Sequence, residues 1–284
     1  MGSPARALVR MLAYLSVTVP LLPIQAMLVA FKLGAARRLP RDYHRLVCRI
    51  LGIRVAVRGS LAPVRPLLLI ANHSSYLDIE VLGSLIAGSF VAKAEIAGWP
   101  FFGWLAKLQR SVFIERRSSK AREHKDEIEK RLLEGDVLIL FPEGTSNDGN
   151  RLLPFRSALF SVAERRIEGE PVQVQPVSLA YTRLDGMPMG RSFRPFFAWY
   201  GQMALASHLW RMLGMGVLTV EVIFHEPVTI DGFANRKALA EHCWRTISEG
   251  MASLLVGRPQ RQSSAAATGA SGQPDMAVSS VASL

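Results

Sequence analysis

The chain opens on an unbroken apolar run. Met11 to Phe31 is 21 residues without a charge, bracketed by Arg6 and Arg10 before it and by Lys32, Arg37, Arg38 and Arg41 after it. Such a run is just long enough to cross a hydrocarbon core as a helix of about 20 residues. Pro20 and Pro23 each remove a backbone donor and bend a helix, so a kinked or re-entrant segment fits the pattern as well as a clean span. Next, Arg41–Ile53 reads as a short amphipathic helix. Arg41, Arg45 and Arg49 recur on one face, and Leu46, Val47, Ile50 and Leu51 form the other.

From residue 53 the pattern changes to short apolar strands alternating with helices. Strands are predicted over Ile53–Arg58, Pro66–Ala71, Ser89–Ala92, Ser111–Glu115, Asp136–Phe141, Val172–Ala180 and Val217–Phe224. Helices are predicted over Leu77–Leu85, Phe101–Leu108, Ser118–Leu133, Ser157–Arg165, Met203–Leu213 and Arg236–Leu255, with Ser118 as an N-cap and Gly135 just past a helix end. Strands such as Pro66–Ala71 are apolar at consecutive positions, which requires burial on both faces. The predicted fold is therefore α/β, a mostly parallel central sheet flanked by helices, with an N-terminal membrane-associated helical segment. This divides the chain into an N-terminal membrane-associated helical region (1–52), an α/β domain (53–257) and a disordered tail (258–284), the tail being rich in Ala, Ser and Gly with almost no charge.

Composition sharpens this picture. Hydrophobic residues make up 49% of the 284, which excludes a disordered chain, and a mean hydropathy of +0.19 is high for a freely soluble enzyme. The net charge is +11, and residues 1–60 hold ten Lys/Arg against one acid, Asp42. Cations that border an apolar run point to anionic membrane lipids, at the inner (cytoplasmic) membrane with the α/β domain on the cytoplasmic side. The competing reading, a basic non-catalytic module that binds nucleic acid, requires salt-sensitive binding, and no nucleic-acid motif is visible. Cys48 and Cys243 form no CxxC pair, and the histidines other than His73 are scattered without ligand spacing, so no metal site is expected.

Three apolar strands run directly into polar residues, and ligands of open α/β sheets bind beyond the carboxyl ends of strands. The polar segments are Asn72-His-Ser-Ser-Tyr-Leu-Asp78, Glu115-Arg-Arg117 and Pro142-Glu-Gly-Thr-Ser-Asn-Asp-Gly149. His73 and Asp78 are five apart, a spacing that on a regular helix separates them by about 140°. With His73 on the loop and Asp78 in the first helical turn, the carboxylate reaches the ring, and the second ring nitrogen is free to take a proton from a hydroxyl. No G-x-S-x-G elbow supplies a protein nucleophile, so that hydroxyl belongs to a substrate. Arg116 offers a fork of donors for phosphate or carboxylate and reads equally well as a solvated strand end. Gly144 and Gly149 let backbone amides approach an anion, and Glu143 reads alternatively as a loop residue capping nearby amides. Trp99-Pro-Phe-Phe-Gly-Trp104 reads as a lipid-touching lip or as core packing.

Together these residues resemble the glycerolipid acyltransferase family typified by bacterial 1-acylglycerol-3-phosphate acyltransferase. Its N-H-x4-D motif is matched by Asn72, His73 and Asp78; its strand ending in an acid and Arg by Phe113–Arg116; its F-P-E-G-T motif by Phe141–Thr145; and its apolar stretch with a central proline by Val174-Gln-Pro-Val177. The resemblance implies transfer of a fatty acyl group from acyl carrier protein or coenzyme A to a lysolipid hydroxyl, with no further cofactor. It implies His73 as general base oriented by Asp78, and Asn72, Arg116, Glu143, Gly144, Thr145, Arg156 and Pro176 as substrate-binding residues. Backbone amides around Asn72 are the expected oxyanion donors. The implied acceptor is 1-acyl-sn-glycerol-3-phosphate, giving phosphatidic acid. Lyso-ornithine lipid is the alternative, because Ser146 stands where the family often has Arg and Asp148 follows it. Segments Tyr181–Gly190 and Trp199–Gln202 also resemble members from bacteria that make ornithine lipids.

Overall fold

The computed structural model describes residues 2–115 and 121–257. The predicted N-cap Ser118, Arg116 and the tail 258–284 lie outside the described residues. Helix α1 (Pro4–Ala30) runs on through Pro20 and Pro23, starting from a Ser3 cap on the Arg6 amide. At 27 residues, it is the one helix among the described residues long and apolar enough to cross a membrane. Its base is locked to helix α6 (Leu205–Gly214): Arg10 Nη1 donates to the Leu213 and Met215 carbonyls at 3.1 and 2.8 Å, where the last carbonyls of α6 leave partial negative charge.

Helix α2 (Ala35–Leu51) starts earlier than Arg41 and buries Ala36, Pro40, His44, Val47, Cys48 and Leu51. Leu46 therefore faces outward, unlike its predicted place on the apolar face. The basic stripe is partly used inside the protein, since Arg45 Nε donates to the Ser84 carbonyl at 2.9 Å and Arg37 pairs with Asp136 at 3.3 Å.

The remaining elements are strands β1 (Ile53–Arg58), β2 (Leu67–Ala71), β3 (Gly88–Lys93), β4 (Val112–Ile114), β5 (Val137–Leu140), β6 (Arg166–Ile167), β7 (Glu170–Pro171), β8 (Gln173–Leu184), β9 (Met187–Pro188) and β10 (Leu218–Phe224), with helices α3 (Leu77–Leu85), α4 (Phe102–Leu108), α5 (Ala121–Leu133) and α7 (Arg236–Val256). The sheet order is β1-β10-β8-β2-β5-β3-β4. Strands β8, β2, β5, β3 and β4 are mutually parallel, and β10 runs antiparallel to β8 with β1 parallel beside it. The small β6–β7 hairpin stands apart.

Every residue of β2 is fully buried. Its alternate side chains feed two cores: Leu67, Leu69 and Ala71 pack with α2, α3 and α6, whereas Leu68 and Ile70 pack with α5 and α7. Observed bounds follow the sequence pattern closely, with two informative differences. Ser157–Glu164 is a 3-10 helix. Strand β8 continues four residues past Ala180 because Tyr181–Leu184 pairs with β10, a partner no local pattern announces. Gly135 takes the left-handed conformation at φ 77° after α5, as its place in the sequence predicts.

Helices α2 and α3 meet at Gly83, where an added Cβ would lie 2.4 Å from Cδ2 of the buried His44 ring. That ring is clamped by Glu80 (Nδ1 to Oε2, 2.7 Å) and Gln109 (Nε2 to Oε1, 3.0 Å) and cannot slide away cheaply. Gly83→Ala is expected to lower unfolding free energy by about 2 kcal/mol through overpacking. Gly98→Ala, where a Cβ meets nothing within 4 Å, serves as the control. Chemical denaturation of the two variants side by side checks this, and equal stability would contradict the close packing.

Candidate active site

Strand β2 ends at Ala71, and the chain turns through Asn72–Tyr76 into α3. Asn72 is buried and ties this turn to β8: its Nδ2 donates to the Leu179 carbonyl at 2.9 Å and its Oδ1 accepts from the Leu179 amide at 2.8 Å. Asp78 sits in the first turn of α3 with no solvent exposure. Its Oδ2 accepts from His73 Nδ1 at 2.9 Å and from the Ser74 and Ser75 amides at 2.7 and 2.9 Å. Its Oδ1 accepts from the Tyr181 phenol. Burial, together with that carboxylate, holds the Tyr181 phenol well above its ordinary range, so it remains a donor. With Nδ1–H directed at a carboxylate, Nε2 of His73 keeps its lone pair. The ring stacks on Phe141 with centroids 4.2 Å apart, and its side chain is 20% exposed.

Glu143 braces the same turn from the other side. Its Oε1 accepts from the His73 amide at 2.7 Å, and its Oε2 accepts from Asn147 Nδ2 at 2.7 Å and from the Leu153 amide at 2.9 Å. Burial outweighs these three donors and pushes its carboxyl up to about 7. The amides of His73, Ser74 and Ser75 are thus engaged by two carboxylates, so of the amides around Asn72 expected to meet an oxyanion these three are already taken.

The structure brings His73, Asp78 and Glu143 into one hydrogen-bonded network, while the Asn72 side chain bonds to Leu179 of β8 instead. Gly144, in left-handed conformation at φ 68°, lies against Arg156, whose Nε would be 3.0 Å from an added Cβ. Thr145 and Arg156 are exposed beside them. Pro176 is set apart from this group: it is buried within β8, paired in register with Ile70, and does not line the cavity described next. Arg116 lies outside the described residues.

His73 and Tyr76 open onto a cavity of about 230 Å³ whose walls include Leu21 and Leu22 of α1, Phe90 of β3 and Leu105 of α4. Trp99 also lines it, edge-on to Trp199, while Trp104 is 64% exposed. The aromatic segment therefore divides between cavity wall and surface. Among the described residues, no group of His, Cys, Asp and Glu converges to hold a metal ion. Sequence reasoning missed Tyr181 and Trp199. Both open segments singled out by their resemblance to members from ornithine-lipid bacteria, but nothing there announced that the Tyr181 phenol meets Asp78 or that the Trp199 amide donates to the Ser74 carbonyl at 2.8 Å.

A family model described as Acyltransferase matches residues 54–180. The chain is 44% identical over 250 residues to the lyso-ornithine lipid O-acyltransferase of Brucella abortus (strain 2308), covering 87% of this chain and 94% of that protein. It is 36% identical over 169 residues to the 1-acyl-sn-glycerol-3-phosphate acyltransferase of Neisseria gonorrhoeae, covering 58% and 62%. Among solved structures it resembles the 1-acyl-sn-glycerophosphate (LPA) acyltransferase, PlsC, from Thermotoga maritima, with a TM-score of 0.60 and 23% identity over 90% of this chain and 99% of that one. That likeness speaks for the fold alone.

Glu143 generates a pH-dependent prediction. Its carboxyl ionises near 4.5 in an unfolded chain and near 7 in the folded one, so between those values the folded state holds the extra proton. Stability from this group then falls as pH rises through that window, by on the order of 3 kcal/mol. Glu143→Gln lacks this slope and sets an amide N–H against other donors, costing about 1–3 kcal/mol. Denaturation from pH 4.5 to 7 should show the wild type's advantage over the variant shrinking with rising pH; a constant difference would refute the assignment.

Proposed function

The chain belongs to the Acyltransferase family, and from that premise we propose that it completes an ornithine lipid, moving a fatty acyl group from a thioester onto the free hydroxyl of lyso-ornithine lipid. The observation that carries the acyl-transfer reading is the His73–Asp78 dyad opening onto an apolar cavity. His73 Nε2 takes the acceptor's hydroxyl proton as the oxygen attacks the thioester carbonyl carbon. The carbon–sulfur bond breaks, the imidazole returns its proton to the departing thiolate, and an ester and a free thiol result. Asp78 stabilises the transient imidazolium without taking the proton, because its oxygens already accept four hydrogen bonds. The donor's acyl chain occupies the apolar cavity, and either an acyl carrier protein or a coenzyme A thioester supplies it.

Two features favour lyso-ornithine lipid as acceptor. Two relatives of that name match 87% and 85% of this chain, and the loop after Thr145 carries Ser146 and Asp148, suiting an ammonium-bearing head group. A second reading, 1-acyl-sn-glycerol-3-phosphate, is favoured by the exposed Arg156 against Gly144, a cation placed for a phosphate. Membrane association follows from α1, whose Leu8, Val9, Leu12, Leu15, Val19 and Met27 are exposed. We place that helix in the inner membrane, among anionic lipids, with the catalytic domain on the cytoplasmic side.

Purified protein given one acyl thioester and both acceptors in competition should acylate lyso-ornithine lipid at least about tenfold faster, and the reverse preference would transfer the assignment to the second reading. His73→Ala should lower turnover about 10²–10⁴-fold while circular dichroism stays unchanged. Wild-type turnover in that variant would end the mechanism.

A further inference from the structure

Beside the turn that carries His73, two loops meet on one side chain. The first follows Thr145: Asn147 Nδ2 donates to the His73 carbonyl at 3.2 Å, and Ser146 Oγ donates to the Trp199 carbonyl. The second is 191–199, whose Trp199 amide holds the Ser74 carbonyl at 2.8 Å. Gly149 fills the space between them, since an added Cβ would lie 3.8 Å from Ser74 Cβ and 3.8 Å from Arg194 Cβ. Asn150 stands where the loops join. Its amide donates to Asp148 Oδ1 at 3.1 Å, and its Oδ1 accepts from Arg194 Nη1 at 2.7 Å. Its Nδ2 donates to the Arg191 carbonyl at 3.1 Å and faces Asp148 Oδ2 at 3.5 Å.

One neutral residue therefore holds a carboxylate and a guanidinium that do not pair with each other. Arg194 donates only to neutral acceptors among the described residues, Asn150 Oδ1 and the Met189 carbonyl at 3.2 Å, which leaves one hydrogen on each Nη. Burial and then the neighbouring Arg191 lower its pKa, and no acid raises it. Asp148 accepts only from Asn150 among the described residues. Asp148, Asn150 and Arg194 are all half-buried, so the group is open to solvent on one side. Opposite charges this close would cancel by direct contact. Here an amide keeps them apart, and each keeps its capacity for a charge brought from outside.

Resting on the lyso-ornithine lipid reading above, we propose that Asp148 and Arg194 together read a zwitterionic head group, the Asp148 carboxylate taking the acceptor's ammonium and the Arg194 guanidinium its carboxylate, with Asn150 as the positioning residue that keeps the two apart. An ornithine joined through its α-nitrogen carries those two charges at opposite ends of a short methylene chain. A phosphate monoester brings only negative charge, which Arg194 attracts and Asp148 repels. Because both loops are bonded to the His73 turn, a head group held between them stays beside the base.

The test removes each charge from the acceptor and from the protein in turn. Full-length protein is supplied with hexadecanoyl thioesters of coenzyme A and of acyl carrier protein. The acceptors are the 3-hydroxyhexadecanoyl amides of ornithine, of norvaline, which lacks the ammonium, and of 1,4-diaminobutane, which lacks the carboxylate, with 1-acylglycerol-3-phosphate as a fourth. Wild-type kcat/KM for the ornithine amide should exceed that for each of the other amides about 10–100-fold. In Asp148→Asn the ornithine-to-norvaline ratio should fall about tenfold while the ornithine-to-diaminobutane ratio holds. Arg194→Gln should do the reverse, and Arg194→Lys should restore part of the lost ratio. Equal use of the three amides by the wild type overturns the inference and leaves the lyso-ornithine lipid reading standing. Ratios that stay unchanged, or that fall together in both variants as a merely disturbed loop would make them, overturn it equally. Turnover of 1-acylglycerol-3-phosphate alone ends this inference and moves the acceptor to the second reading, and no turnover with any acceptor removes acyl transfer itself.

Discussion

A carboxylate held entirely out of water is the constraint on which the site depends. An unpaired charge in that position would be strongly destabilising, so each oxygen of Asp78 must find donors. It finds four: two amides of the turn that precedes α3, the His73 ring and the Tyr181 phenol. Meeting this demand folds the Asn72–Tyr76 turn around the carboxylate and sets the tautomer of His73. The placement of the His73 ring is thus a by-product of satisfying a buried charge. The Glu143 carboxylate grips the His73 amide from the opposite side, so the F-P-E-G-T loop and the His73 loop hold one another.

Helix α1 has two faces of different use. The outer face of α1 is apolar and exposed, while its inner face supplies Thr18, Leu21, Leu22 and Gln25 to the cavity wall. Its partner α2 reaches α3 through His44, whose ring is bound to Glu80, two residues beyond Asp78. Burial lowers the basicity of that ring, but the Glu80 carboxylate outweighs burial and holds the imidazole above its ordinary value, which strengthens the link. The cavity wall that α1 supplies is therefore continuous with the elements that hold the His73 ring.

Much of this was legible in the chain itself. Consecutive apolar positions in Leu67–Ala71 announced a strand buried on both faces, and the polar residues following it located the site at the sheet's carboxyl edge. The five-residue spacing of His73 and Asp78 was enough to require one on a loop and the other in a first helical turn, because local geometry alone decides that. The alternative role for Glu143, a carboxylate capping amides, was readable for the same reason.

What lay beyond the sequence were partners brought together by pairing across the sheet and between helices. Tyr181 reaches Asp78 across 103 positions, His44 reaches Glu80 across 36, and Gln25 reaches Leu108 across 83. No periodicity encodes such contacts, since each depends on strand order and helix packing rather than on neighbours in the chain. Local pattern determined the elements, the apolar first helix and the His73–Asp78 pair at the end of β2. Tertiary structure alone decided which phenol completes the carboxylate's shell, that Pro176 pairs with Ile70 away from the cavity, and that Gln25 joins α1 to α2 and α4, because those outcomes are set by which buried groups meet when the layers close.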